Sequence, residues 1–155
     1  MIVVADTSPL CYLILIGEID VLPKLYSHVL APSAVISELL HEDAPAAVRN
    51  WAADLPSWIS ARENPVGMTA GMEKLQAGEQ AAILLAESAA ADMILLDEKS
   101  ARRVAADRGL QIAGMLGVLG EAAARGIVDL EAVIDRLRKT SFRYSPALPQ
   151  ATSDR

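Results

Sequence analysis

Two aspartates follow directly after short apolar segments of this 155-residue chain. Asp6 comes after Ile2–Ala5, and Asp97 comes after residues 93–96. Uninterrupted apolar runs of this length are typical of strands buried on both faces of a parallel sheet. Ligands bind at the carboxyl ends of such strands, and neighbouring strands lie about 4.8 Å apart. If the two strands are neighbours, the carboxylates lie close together, and a divalent cation would remove their mutual repulsion.

Each aspartate, taken alone, also fits a structural role. Asp6 could cap a helix that begins near Ser8, and Asp97 could cap a helix that begins at Glu98. Ser and Thr cap helices equally well without adding charge. The presence of aspartate at both positions therefore favours a binding site over two independent caps.

Three glutamates extend the list of acids. Glu38 lies in a predicted helix over residues 33–41, where a solvated side chain is the ordinary expectation. Glu79 lies at the start of another predicted helix, where the helix dipole stabilises a carboxylate by about 0.3–1 kcal/mol. Glu98 is either a first-turn helix acid or a further ligand. Taken singly, none of the three defines a site.

The composition limits the chemistry that such a site could perform. The chain has one cysteine, Cys11, and two histidines, His28 and His41, which excludes an internal disulfide and a cysteine-based zinc site. A metal site must therefore be built mainly from carboxylates, whose hard oxygens suit Mg²⁺ or Mn²⁺.

The segments that carry these residues alternate between strand and helix patterns. The predicted strands cover residues 2–5, 28–31, 58–60, 93–96 and 111–113. The predicted helices cover residues 8–15, 19–26, 33–41, 44–54, 78–90, 98–108, 115–125 and 129–139. This alternation indicates an α/β domain with a parallel sheet. We expect one domain over residues 1–143 and a tail over 144–155.

A cytoplasmic location is the expectation from the N-terminal segment. The apolar run over residues 10–16 is about two helical turns long, well short of the ~20 residues that a membrane span needs. Asp6 stands where a secretory signal would carry basic residues.

Four segments resemble the motifs of PIN-domain nucleases. They are V-V-A-D-T-S-P-L at 3–10, A-P-x-x-V-I-x-E-L at 31–39, G-E-x-x-A-I-x-L-A at 78–86 and L-L-D-E-K-x-A-R-R-x-A at 95–105. The run that continues through residues 109–119 resembles the VapC-like group of prokaryotic PIN proteins, which carries G-E and L-D-D-K signatures. The resemblance spans roughly residues 1–140.

The resemblance implies a three-layer α/β/α fold with a central parallel sheet and an RNA-cleaving site that uses one or two Mg²⁺ or Mn²⁺ ions. Carried over by motif, the active-site acids are Asp6, Glu38, Glu79 and Asp97. Of these, Asp6, Asp97 and Glu79 would bind metal, and Glu38 would bind through water or orient the attacking water. Thr7, Ser8 and Glu98 would support the site. Asp97 is preferred to Glu98 as a ligand because it directly ends its strand.

The charge distribution bears on RNA binding. The formal net charge is −6, but residues 1–96 carry a balance of −8 and residues 97–143 a balance of +2. Lys99, Arg102 and Arg103 follow Asp97 at roughly helical i, i+3, i+4 spacing. They would either hold phosphates that lead to the metal site or form a solvated helix face.

These observations predict a metal-dependent ribonuclease, in which water attacks an RNA phosphodiester and leaves a 5′-phosphate and a 3′-hydroxyl. The resemblance further implies the toxin of a toxin–antitoxin pair, with a homodimeric structure and an antitoxin protein that covers the site. Trp51 and Trp58 would belong to such a surface or to ordinary packing. The alternative is a non-catalytic PIN-fold module that serves a regulatory complex.

Overall fold

The computed structural model describes residues 1–141, so the predicted tail at 144–155 lies outside the described residues. Five strands form one parallel sheet: β1 (Ile2–Ala5), β2 (His28–Pro32), β3 (Ile59–Arg62), β4 (Met93–Leu95) and β5 (Ile112–Ala113). Their order across the sheet is β3-β2-β1-β4-β5, and every neighbouring pair is parallel. The predicted α/β class with a parallel sheet is confirmed.

Eight helices within the described residues connect and flank the strands. They are α1 (Thr7–Leu15), α2 (Val21–Leu25), α3 (Ser33–Leu40), α4 (Ala46–Ala53), α5 (Ala77–Ser88), α6 (Lys99–Asp107), α7 (Met115–Ala124) and α8 (Leu130–Arg138). Six of them begin one or two residues away from the expected position, and two of these shifts concern the candidate acids. α5 begins at Ala77, one residue earlier than predicted, and α6 begins at Lys99 with Glu98 at its N-cap position.

Alternate residues of the central strands pack into different hydrophobic clusters. In β1, Val3 and Ala5 belong to one cluster and Val4 belongs to the other. The first cluster contains residues of α1–α4, α7 and α8, and the second contains residues of α5 and α6. Both faces of the sheet are therefore covered by helices, which gives three layers. This coverage explains why the central strands are apolar throughout instead of alternating with polar residues.

The chain order reverses at the centre of the sheet. The segment up to β3 builds outward from β1 to one edge, and β4 and β5 then extend from the other side of β1. The register of β1 and β4 pairs Val3 with Met93 and Ala5 with Leu95. In open α/β sheets, ligands bind beyond the carboxyl ends of the strands at such a reversal.

Within residues 1–141, none of the helices is long and apolar enough to cross a bilayer.

Candidate metal centre

The strand register brings the first and last of the predicted acids to the same end of the sheet. Asp6 directly follows β1, and its backbone N–H donates to the Leu95 carbonyl at the end of β4 over 3.1 Å. Asp97 lies two residues beyond Leu95. The two aspartates therefore stand at the point where the strand order reverses.

Asp6 occupies the N-cap position of α1 but makes no side-chain capping hydrogen bond. The residue is only 4% exposed. Its Oδ1 is buried and has no hydrogen-bond partner among the described residues. A helix cap would place this oxygen on a backbone N–H, so capping does not account for the aspartate.

Asp97 is held by a different helix from the one it was expected to cap. Its Oδ1 accepts a hydrogen bond from the Met115 N–H over 2.7 Å, at the start of α7. Gly114, which precedes α7, packs so closely that a Cβ there would lie 2.9 Å from Asp97 Oδ1. The other oxygen, Oδ2, is buried and unpartnered. The fold thus anchors one oxygen of Asp97 and leaves the second unsatisfied.

Glu38 faces α1 and α5 from the helix that follows β2. The Thr7 hydroxyl donates to Glu38 Oε2 over 2.7 Å. The other oxygen, Oε1, lies against Gly78, where a Cβ would overlap it. The glycine of the G-E segment is therefore needed to make room for a carboxylate from another helix. Glu38 is half-buried at the site instead of solvated.

Glu79 combines a helix cap with a place at the site. Its Oε1 accepts a hydrogen bond from the Gln76 backbone N–H over 2.9 Å in a capping box at the start of α5. The residue is 9% exposed. The capping role reduces the freedom of the side chain, because one oxygen already has a partner.

One open cleft of about 630 Å³ contains all of these side chains. The predicted residues that line it are Asp6, Thr7, Ser8, Glu38, Glu79, Asp97 and Glu98. Residues of the cleft that the sequence did not suggest are Cys11, Tyr12, Lys74, Gln76, Ser100 and Ser141. The capping-box spacing of Gln76 and Glu79 could have indicated Gln76 in advance. The others carry no such local signal.

Burial of the acids raises their pKa values. Desolvation raises the pKa of Asp6 to about 7, with added repulsion from Glu79, Glu38 and Asp97 and an opposing effect of the Thr7 N–H. Desolvation also raises the pKa of Asp97, against the Met115 N–H and the positive charge of Arg102. The pKa of Glu79 is raised for the same main reason, with repulsion from Glu98 and Glu38. The repulsion shows that these acids act on one another across the cleft.

A divalent cation fits the buried carboxylate oxygens of Asp6 and Asp97. Within residues 1–141, no three His, Cys, Asp or Glu side chains converge tightly enough to form a ready-made metal cluster. Two buried carboxylate oxygens, on Asp6 and Asp97, nevertheless lack a hydrogen-bond partner in this part of the chain. An unpartnered buried carboxylate is costly, and Mg²⁺ is commonly held by one or two carboxylates with water completing its octahedron.

The three basic residues after Asp97 do not form one group. Arg102 donates from Nη1 to the Leu96 carbonyl over 3.1 Å and lies near Asp97. Lys99 and Arg103 instead line a second cleft. The difference arises because Arg102 turns toward the end of β4, where a backbone carbonyl and a carboxylate attract it.

Comparisons with known proteins identify a family for the chain. No curated protein and no solved structure gives a significant match to the chain. The family DUF3368, described as a PIN domain, matches residues 2–154. PIN domains are generally nucleases and typically use divalent metals. Because the match covers nearly the whole sequence, this chain belongs to the DUF3368 family of PIN domains.

Proposed function

We propose that this protein is a metal-dependent endoribonuclease that hydrolyses RNA phosphodiester bonds. The observation that carries the proposal is the pair of buried, unpartnered oxygens on Asp6 and Asp97 at the reversal of strand order. The surrounding cleft adds further acids and lies open to solvent. A nuclease requires this combination of a cation site and an accessible groove.

The proposed role of each residue follows from its position in the cleft. Asp6 and Asp97 would hold Mg²⁺ or Mn²⁺ through their unpartnered oxygens, with Glu79 and Glu98 contributing charge from the side of the cleft. When bound, the ion supplies Lewis-acid stabilisation of the phosphate and lowers the pKa of water. Ser8 lines the same cleft beside Thr7 and supports the site.

Glu38 is placed to accept a proton from the attacking water. The Thr7 hydroxyl fixes Oε2, and Oε1 has no hydrogen-bond partner within residues 1–141. In the proposed reaction, Oε1 accepts a proton from water as the water oxygen attacks phosphorus. The P–O3′ bond breaks, and the leaving 3′ oxygen takes up a proton from solvent. The products are a 5′-phosphate and a 3′-hydroxyl.

Cleavage of a mixed RNA pool tests the proposal directly. We expect wild-type protein to cleave in the presence of Mg²⁺ or Mn²⁺ and to stop in EDTA. Asp6→Asn and Asp97→Asn should each lower the rate by at least about 100-fold, since each removes a charged oxygen from the cation site. Asp107→Asn, at an exposed position of α6, is the matched control. Equal rates for wild type and Asp6→Asn would rule the nuclease proposal out.

The physiological role that we propose is that of a cytoplasmic toxin whose antitoxin covers the cleft. We also propose a homodimer. Trp51 and Trp58 pack together with ring centroids 6.0 Å apart and are each half-buried, and Leu40 is 43% exposed in the same part of the fold. Light scattering on the isolated protein tests the dimer. A small DNA-binding reading frame beside the gene would support the antitoxin.

A further inference from the structure

A second cleft adjoins the acidic one along α6. It encloses about 590 Å³, and two residues, Lys74 and Ser100, line both clefts. The two depressions are therefore adjacent on the surface. A chain molecule that occupies the acidic cleft can extend into the second without leaving the protein.

Basic side chains line the second cleft, and no carboxylate of the described residues forms an ion pair with them. Lys74, Lys99 and Arg103 all line it, and all three are exposed. Among residues 1–141 they make no ion pair and no hydrogen bond. Four cations elsewhere in the described part of the chain do form an ion pair with a carboxylate: Arg108, Arg125, Arg136 and Lys139. In an acidic protein, three unpaired cations around one cleft leave a local excess of positive charge.

The remaining lining defines what this positive charge can recognise. Glu73 is the one carboxylate of the cleft among the described residues, and its Oε1 accepts a hydrogen bond from the Gly71 N–H. The apolar contribution comes from Leu75 and Val104. No aromatic side chain of the described residues lines the cleft, so it offers no platform on which a base could stack.

We propose that this second cleft, formed by Lys74, Lys99 and Arg103, binds the backbone phosphates of the RNA strand next to the scissile phosphate. The inference rests on the proposed function, because it takes the acidic cleft to hold the scissile phosphate. Most hydrogen bonds from Arg and Lys to a nucleic acid go to phosphate oxygens, and these contacts carry no sequence information. The cleft therefore contributes affinity that is independent of RNA sequence.

This assignment replaces one member of the basic group that the sequence suggested. Arg102 turns inward to the Leu96 carbonyl, whereas Lys74 reaches the cleft from the loop before α5. Lys74 lies at the junction of the two clefts. It is therefore placed to contact the phosphate closest to the scissile bond.

Binding of uncleaved RNA tests the assignment separately from catalysis. Fluorescence anisotropy in EDTA would follow fluorescent single-stranded oligo(A) and oligo(U) at several salt concentrations. We expect Lys74→Gln, Lys99→Gln and Arg103→Gln each to weaken binding of both RNAs several-fold. Each should also flatten the slope of log affinity against log salt by about 0.7, the value for one released phosphate counterion on a single strand.

Lys24→Gln is the matched control, because Lys24 is exposed, makes no ion pair among the described residues and lies on α2 away from both clefts. It should leave affinity and salt slope unchanged. The inference is overturned if wild type does not bind RNA, if the three variants bind as wild type does, or if Lys24→Gln weakens binding as much as they do. Cleavage with Mn²⁺ is measured in parallel. If the variants bind more weakly but wild type does not cleave, the nuclease proposal fails and the phosphate-binding cleft stands. If wild type cleaves but the variants bind as wild type does, the cleft assignment fails and the nuclease proposal stands.

Discussion

Among the described residues at the site, Asp6 has the carboxylate whose charged form is disfavoured most by burial and by neighbouring acids. It is almost fully buried, has an unpartnered oxygen and faces three other acids across the cleft. Folding removes its carboxylate from water without supplying a cation or enough N–H donors in return. Burial of this carboxylate therefore costs stability, so a stabilising role does not account for the residue.

The metal-free protein should therefore lose stability as pH rises. The pKa of Asp6 is about 7 in the folded protein against an ordinary value of 3.8. Below pH 3.8 both folded and unfolded states hold the proton, whereas between pH 3.8 and about 7 the folded state holds it more strongly. The free energy of unfolding thus falls through this window, by at most roughly 3 kcal/mol between pH 5 and pH 8. Asp97 and Glu79, whose pKa values are also raised, act in the same direction.

Urea unfolding in EDTA at pH 5 and pH 8 measures this effect. Asp6→Asn should shrink the difference between the two pH values and raise stability at pH 8, because it removes the buried charge. Asp107→Asn changes an exposed carboxylate and should behave as wild type. An unchanged pH dependence in Asp6→Asn would contradict the burial argument.

At the scale of elements, the site depends on the first turns of helices packed against the strand ends. α7 fixes Asp97 through the Met115 N–H, α5 fixes Glu79 through its capping box, and Thr7 of α1 fixes Glu38. Glycines at two of these helix starts, Gly78 and Gly114, leave the space that the carboxylates occupy. The helices therefore determine where the carboxylates point and how much space surrounds them.

Gly78→Ala should damage the site while leaving the fold intact. The new Cβ would overlap Glu38 Oε1, and the carboxylate can move away because it ends a flexible side chain. We expect RNA cleavage to fall at least about ten-fold, while the free energy of unfolding changes by less than about 1 kcal/mol. Gly120→Ala is the control, since a Cβ there meets no atom within 4 Å in the interior of α7. It should keep full cleavage and gain about 0.5–1 kcal/mol in a urea titration. Equal activity of the two variants would refute the clearance argument.

The two roles of Glu79 can be separated by substitution. Glu79→Gln retains an oxygen that can accept the Gln76 N–H but removes the charge, whereas Glu79→Ala removes both. We expect both variants to lose cleavage to a similar extent. Chemical unfolding should show Glu79→Ala to be less stable than Glu79→Gln by about 1 kcal/mol, the usual value of a helix cap. Full activity in Glu79→Gln would show that only the cap matters.

At the scale of the whole molecule, the parallel sheet brings the acids together and the helical layers bury them. β1 and β4 are separated by about 90 residues in the sequence yet pair directly, which places Asp6 and Asp97 at one edge. The chain is acidic overall, but three cations that form no ion pair among the described residues line a cleft beside this edge. The proposed cation site and the proposed phosphate-binding cleft therefore lie side by side on the surface.

Cation binding should stabilise the entire fold. Mn²⁺ that binds the folded protein alone raises the free energy of unfolding by about 2.7 kcal/mol at one hundred times its dissociation constant. Thermal unfolding should show a higher midpoint with Mn²⁺ for wild type and Asp107→Asn, and little or no rise for Asp97→Asn. A midpoint that rises equally in all three proteins would place the ion elsewhere.

The element pattern and the identity of the acids could be predicted from local sequence. Apolar runs such as 2–5, bounded by cap residues, specify strands and helices through short-range physics, and they located Asp6 and Asp97 at strand ends. The residues at which the helices begin were predicted less accurately than the elements themselves. Glu98 and not Asp97 occupies the N-cap position of α6, because Asp97 is drawn to the Met115 N–H of a distant helix.

The sequence by itself determined the α/β class and predicted which acids line the cleft, because both follow from residue type and from spacing within single elements. Only the tertiary structure decided which oxygens remain unpartnered, why Gly78 must lack a side chain and which cations face the second cleft. Each of these depends on side chains that meet across elements far apart in the chain. Arg102 and Lys74 show the difference most directly, since helical spacing grouped Arg102 with Lys99, whereas packing turned it to a carbonyl and brought in Lys74 from another loop.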